Sequence, residues 1–106
     1  GPTTVNVDLP ADNADVLGGT LLDPVPGPGV LKIYLASTQR DGIATVTGAG
    51  VIGGAFRVPP VLRANGMPDL LSDMPYFVAV GGGKVVINYD EVTAADAFAT
   101  IIYEPD

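Results

Sequence analysis

Few side chains in this sequence have the type and spacing that chemistry needs. Asp90, Glu91 and Asp96 form the densest group of carboxylates. Two carboxyl groups facing each other across a cleft can divide acid and base roles, as in glycoside hydrolysis. These three fall instead within one short stretch that reads as a solvated connecting loop. Asp12, Asn13 and Asp15 offer hard oxygen ligands of the kind calcium takes. Their spacing does not follow an EF-hand loop, whose sixth-position glycine is missing here, and Asp and Asn are ordinary turn residues. Ser37 and Ser72 are the only serines, neither sits in a Gly-x-Ser-x-Gly elbow, and the chain has no histidine to act as base. A serine–lysine pair with Lys32 or Lys84 is formally open, but no spacing supports it. Gly48-Ala49-Gly50-Val51-Ile52-Gly53 satisfies Gly-x-Gly-x-x-Gly. A dinucleotide fingerprint needs a helix immediately after it, and Gly54 to Pro60 cannot supply one. Close backbone packing explains these glycines better. The sequence therefore assigns no catalytic residue, no metal and no cofactor.

Composition narrows the function classes further. The chain has 106 residues, 47% of them apolar and only 16% charged, with a net charge of −7. That length makes one domain, residues 1–106, with enough chain for a core of its own. There are no cysteines, so neither disulfides nor thiolate metal sites enter the reading. The five basic residues (Lys32, Arg40, Arg57, Arg63, Lys84) are scattered. A phosphate-binding surface needs them clustered, so nucleic acid is not an expected partner. No stretch approaches the roughly 18–20 apolar residues of a membrane helix. The first residues, Gly1-Pro2-Thr3-Thr4, carry no basic or apolar leader segment. The expectation is an intracellular chain or one whose signal has been removed. Low charge density on so small a domain points to apolar surface that a partner covers.

The elements that would position any site are strands. Thr3 to Leu9 alternates, with Val5, Val7 and Leu9 on one side and Thr4, Asn6 and Asp8 on the other. Pro10 ends it, and residues 1–10 could also serve as an extended N-terminal arm. Val16 to Leu22 reads as a strand with a glycine bulge. Asp23 to Gly29, with three prolines, must be an extended surface loop. Val30 to Ala36 is the next strand, and Asp41-Gly42 signals a hairpin into Ile43–Ile52. Ala55 to Val58 is short and β-like before Pro59-Pro60. Val61 to Asp73 is the least β-like region, with room for one helical turn at Asp69–Asp73. Pro75–Val80, Lys84–Tyr89 and Ala97–Tyr103 close the chain as three β-like runs rich in branched and aromatic residues. The last two are expected to pair as a central hairpin, with a short helix over Val92–Phe98 as the competing reading. The fold class is thus all-β, a compact β-sandwich or small barrel of seven or eight short antiparallel strands.

Two stretches look built for contact rather than chemistry. One is the loop holding Pro24, Val25, Pro26 and Pro28. The other is Phe56 to Arg63, which mixes Phe56, Arg57, Pro59, Pro60 and Arg63 with the aliphatics Val58, Val61 and Leu62. Preformed proline-rich backbone loses little entropy on binding, and arginine beside aromatics is typical of interface hot spots. The competing view is a pair of rigid loops tucked onto the domain's own surface. Val5 and Val7 join the candidates, because an end strand can pair with a neighbour's sheet edge.

In general character the chain resembles the small all-β decoration or cement proteins of tailed bacteriophages. The resemblance lies in the extended start Thr3–Leu9, the Pro/Gly loop 23–29 and the acidic-ended run Val85–Glu104. It carries no specific motif and transfers no functional residue. It implies a structural role: a homo-oligomer, with a trimer favoured, bridging a major capsid protein on the virion surface after assembly in the host cytoplasm. The alternative is an extracellular adhesion or carbohydrate-binding module of a larger bacterial protein. That module would expose tyrosines (Tyr34, Tyr76, Tyr89 or Tyr103) in a shallow groove, with calcium at Asp12 and Asp15 as a stabiliser. A hydrolase using Asp90, Glu91 or Asp96 ranks last.

Overall fold

A computed structural model describes the whole chain, Gly1–Asp106. It is all-β, with eight strands and no helix. The strands are β1 (Thr3–Leu9), β2 (Gly29–Ser37), β3 (Ile43–Thr47), β4 (Phe56–Val58), β5 (Val61–Leu62), β6 (Tyr76–Val80), β7 (Val86–Asp90) and β8 (Ala97–Pro105). One sheet runs β1-β8-β2, and β5 and β6 share the far side of β2. The other sheet runs β4-β3-β7. Both contribute to a single apolar core, in which Leu31, Ile33 and Ile101 of the first meet Val46, Ile87 and Tyr89 of the second.

The alternation in β1 produces its geometry. Val5 and Leu9 are buried while Thr4, Asn6 and Asp8 are exposed. All seven residues pair with β8, from Thr3 opposite Tyr103 to Leu9 opposite Ala97. The N-terminal stretch is therefore seated in its own sheet. Strand β8 is flanked by β1 and β2 for most of its length. Its run from Ala97 to Tyr103 is nearly continuous in apolar residues, as suits a strand covered on both faces. The buried Thr100 hydroxyl there donates to Asn6 Oδ1 at 2.8 Å. At the other end of β8, Tyr103 donates its hydroxyl to the carbonyl of Gly27 at 2.8 Å. That bond ties down the proline-rich loop, as buried polar tips require.

Several expected pairings are corrected. Lys84–Tyr89 and Ala97–Tyr103 form no hairpin: β7 pairs with β3, and β8 pairs with β1 and β2. The alternation of Val85, Ile87 and Tyr89 did mark the buried face correctly. Period-2 patterning fixes a face, but it carries no information about which strand lies alongside. Asp41-Gly42 likewise joins strands of different sheets. Asp41 accepts a hydrogen bond from the Thr93 hydroxyl at 2.6 Å. Gly42 is required because a Cβ there would overlap the Tyr89 hydroxyl. The strand expected over Ile43–Ile52 stops at Thr47, because Gly48 takes φ 122° and a Cβ on it would sit 2.7 Å from the Lys84 carbonyl. Val16–Leu22 is a run of turns, closed by Gly18 N–H to Asp15 O and Thr20 N–H to Leu17 O. Its Val16, Leu17 and Leu22 plug the core all the same. Finally, not all pairing is antiparallel. Val61 and Leu62 add to the end of β2 in parallel, opposite Ala36 and Ser37.

Candidate functional site

Most of the exposed large apolar side chains come from one segment. Leu62, Met67, Leu70, Leu71, Met74, Tyr76 and Phe77 are all exposed, with Leu71 at 99% and Met74 at 82%. Elsewhere only Leu21, Ile52 and Val92 are comparable, each apart from the others in sequence. Scattered exposed leucines need no explanation, whereas a contiguous set does. This set begins in β5, passes through the loop 63–75 and ends in β6.

The loop is held by its own polar network. Arg63 Nε donates to Asp73 Oδ2 at 3.1 Å and Arg63 Nη2 to Ser72 Oγ at 3.0 Å. The same guanidinium pairs with Asp73 Oδ1 and lies 3.7 Å from Asp69. Asp69 caps the turn: its Oδ1 accepts from Leu71 N–H at 3.0 Å, and its carbonyl accepts from Asp73 N–H at 2.8 Å. This is the one helical turn expected at Asp69–Asp73. Arg63 donation, then the Asp69 N–H, holds the Asp73 carboxyl below the ordinary aspartate value. The Ser72 hydroxyl and Leu71 N–H do the same for Asp69. Arg63 is raised in turn, chiefly by Asp73. The network thus fixes a short turn whose apolar side chains have nowhere to go but outward.

The pH dependence of the loop follows in sign. A carboxyl with a lowered folded-state pKa adds stability above its unfolded value and loses it as pH falls through the folded one. Amide exchange at Leu71 and Asp73 is therefore expected to be slow at pH 7. Their protection, relative to a free amide at the same pH, should fall as pH drops below the ordinary aspartate range of about 4. Arg63→Ala should give the lower protection already at pH 7, with the β8 amides unchanged. Equal protection of the loop in wild type and variant would refute the clamp.

The contact residues read from sequence divide into three groups. Phe56, Pro59, Pro60 and Arg63 lie with the exposed segment. The Phe56 and Tyr76 rings are 6.2 Å apart, and Pro59 and Pro60 line a cleft of about 300 Å³ with Met74, Pro75 and Tyr76. Arg57, on β4, is exposed and has no ion pair. Pro24, Pro26 and Pro28 are exposed on their own loop, but Val25 between them is buried at 2% and bridged to Gly83. Val5 is buried at 8%, and Val7 is half-buried. Val5 and Val25 thus serve this chain's own core, because the alternation that makes them apolar also turns them inward. Arg63 is a fastener of the loop rather than a free anchor. Reading the sequence placed Leu62 inside the contact stretch Phe56–Arg63 but missed Leu70, Leu71, Met74 and Phe77. The available signal was apolar residues inside a proline-bounded stretch that fits neither strand nor helix periodicity.

No family model, curated protein or solved structure matches the chain.

The groups weighed for chemistry do not converge. Asp12 Oδ1 accepts from Glu91 N–H at 2.7 Å, and Asp15 pairs with Lys84 at 3.0 Å, so the proposed calcium ligands face different partners. Lys84 also pairs with Asp23 at 2.8 Å, and Lys32 with Glu104 at 2.7 Å. Glu91 Oε2 caps its own loop at Ala95 N–H, 3.1 Å away. Ser37 is buried and accepts from Gln39 N–H, and Ser72 belongs to the Arg63 network. Gly48–Gly53 leads into β4 rather than a helix, with Gly50 donating to Lys84 O.

Tyr89 is the one buried aromatic with an unpaired polar tip. Burial raises its phenol pKa. The Ser37 hydroxyl offsets part of that shift without reaching hydrogen-bond geometry. A buried hydroxyl without a partner carries a desolvation penalty of about 1–3 kcal/mol. Tyr89→Phe is therefore expected to leave the melting temperature unchanged or raise it. A loss of about 1 kcal/mol or more, a typical net hydrogen bond, would mean the hydroxyl is bonded in solution.

Proposed function

We propose that this chain is an assembly protein, a structural component of a virion that decorates and stabilises a capsid. The observation that carries this reading is the apolar segment 62–77, exposed yet fixed by the Arg63 network. A preordered apolar face loses little entropy on docking, which favours a standing protein–protein contact. We read the two sheets as layers of a β-sandwich, which makes a rigid carrier for that face. The general resemblance to phage decoration proteins supplies the setting: copies of this chain associating with one another, as a trimer, over a major capsid protein on the virion surface. Contact with nucleic acid fits poorly, since Lys32, Arg63 and Lys84 are committed to ion pairs. No catalytic role is proposed, because the candidate groups already hold separate structural positions.

The test is the mass of the purified chain by sedimentation equilibrium over a wide concentration range. A closed oligomer with the mass of a trimer is expected. A monomer at every concentration would overturn self-assembly.

A further inference from the structure

We propose that the free edge of β1 accepts an extended basic segment of a partner protein as an added strand. The edge adjoins the apolar segment 62–77, whose Met67 and Leu70 wall the groove beside it, but its backbone groups belong to β1, and the inference goes beyond the assembly reading without depending on it.

The backbone comes first. β1 pairs with β8 along all seven residues and with no other strand. In an antiparallel ladder alternate residues turn their N–H and C=O groups away from the partner. On β1 these groups face outward along the whole of Thr3–Leu9. The opposite border of the sheet offers no such run. There β5 and β6 divide the length of β2, and the end of β6 is already bonded by Ile52 N–H to Ala79 O and Gly81 N–H to Gly50 O. A continuous unpaired edge is the template for strand addition.

The surroundings select the occupant. A groove of about 400 Å³ lies over β1 and β8, walled by Met67 and Leu70 and floored by Asn6, Asp8, Phe98 and Thr100. Side chains of an added strand on that face sit beside Asn6 and Asp8, and long ones reach diagonally into the groove. Asp8 has no ion pair. The five ion pairs of the chain engage Asp15, Asp23, Asp69, Asp73 and Glu104, so seven of the 12 acidic residues are uncompensated. Several of those gather where β1 ends. Asp12 and Asp41 are bonded to the 91–93 turn, and Asp96 adjoins Ala97, which faces Leu9. Such a field repels a second copy of a chain of charge −7 at this edge and attracts lysine and arginine. The fitting occupant is therefore an extended strand that alternates basic and apolar residues. The charged part of the contact weakens with salt.

The probe is a capped nine-residue peptide of alternating lysine and valine, fluorescently labelled, with an alternating glutamate and valine peptide as control. Both are titrated into the full chain by anisotropy, and β1 amide exchange is read in the same mixtures. Saturable binding of the lysine peptide alone is expected. Asp8→Lys should weaken it at least tenfold at unchanged melting temperature, and the outward β1 amides should slow on binding. Leu71→Asp should leave it intact, which separates this edge from the assembly face. The inference is overturned if the lysine peptide does not saturate. It is equally overturned if Asp8→Lys binds as well as wild type, or if the peptide binds while β1 exchange is unchanged.

Discussion

Ile101→Ala will lower the stability of the chain by about 3 kcal/mol, within the usual range for an isoleucine truncated in a packed core. Ile101 is fully buried in the middle of β8. On its face of the sheet it stands between Val5 of β1 and Ile33 of β2. Three strands close around that position, so the cavity left by the lost methyls cannot collapse without moving a ladder. A domain of this size holds roughly 5–15 kcal/mol in total, and a loss of that order lowers the melting temperature by about 15 °C. The neighbouring Ile102 supplies the control. It points to the opposite face and is half-buried, so Ile102→Ala should cost less than half as much. Thermal unfolding of the two variants side by side checks the assignment of faces. Equal costs would mean that the outer face of β8 is as closely packed as the inner one.

The second large effect falls on association rather than folding. Leu71→Asp combined with Met74→Asp should weaken self-association at least a hundredfold and leave the melting temperature of the dilute chain within a few degrees of wild type. Both side chains stand almost wholly in solvent, and surface substitutions of this kind usually change stability by no more than about 0.5 kcal/mol. In a covered interface each would contribute about 1.5–3 kcal/mol of apolar burial. A hundredfold weakening corresponds to about 2.7 kcal/mol, so losing the two together is sufficient. Added negative charge on a chain of −7 would also disfavour association. Leu71→Ser with Met74→Ser removes the apolar surface without that charge and should give most of the same loss. Association unchanged in both pairs would remove 62–77 from the interface.

How much of this was legible in the sequence depends on which physical rule each feature obeys. β1, β2 and the Val85–Tyr89 run were readable because side chains alternate across a pleated strand and burial follows. Their neighbours were not. Whether β7 lies beside β3 or β8 is decided by long-range packing, to which the local pattern is blind. Val16, Leu17 and Leu22 show the same limit in another form. Their composition promised burial and received it, but through turns rather than a strand. Val25 looked like a contact residue because prolines flank it, and the isolated bridge to Gly83 turns it inward. The exposed face was the hardest to see. Leu70, Leu71 and Met74 have the chemistry of core residues, and only the Arg63–Asp69–Asp73 network, which spans ten residues of sequence, turns them outward.

Amide exchange across β6 and the 62–75 loop, measured below and above the concentration at which the chain associates, tests the central claim most directly. Phe77 lies on the side of β6 turned away from β2, and no hydrogen bond outside the ladders reaches its backbone. Its amide should exchange fast in the dilute chain and slow markedly on association, together with that of Leu70, while the 48–54 turn stays unchanged. Protection that arises only elsewhere, or at no residue as concentration rises, would contradict the proposal that the protein assembles through 62–77.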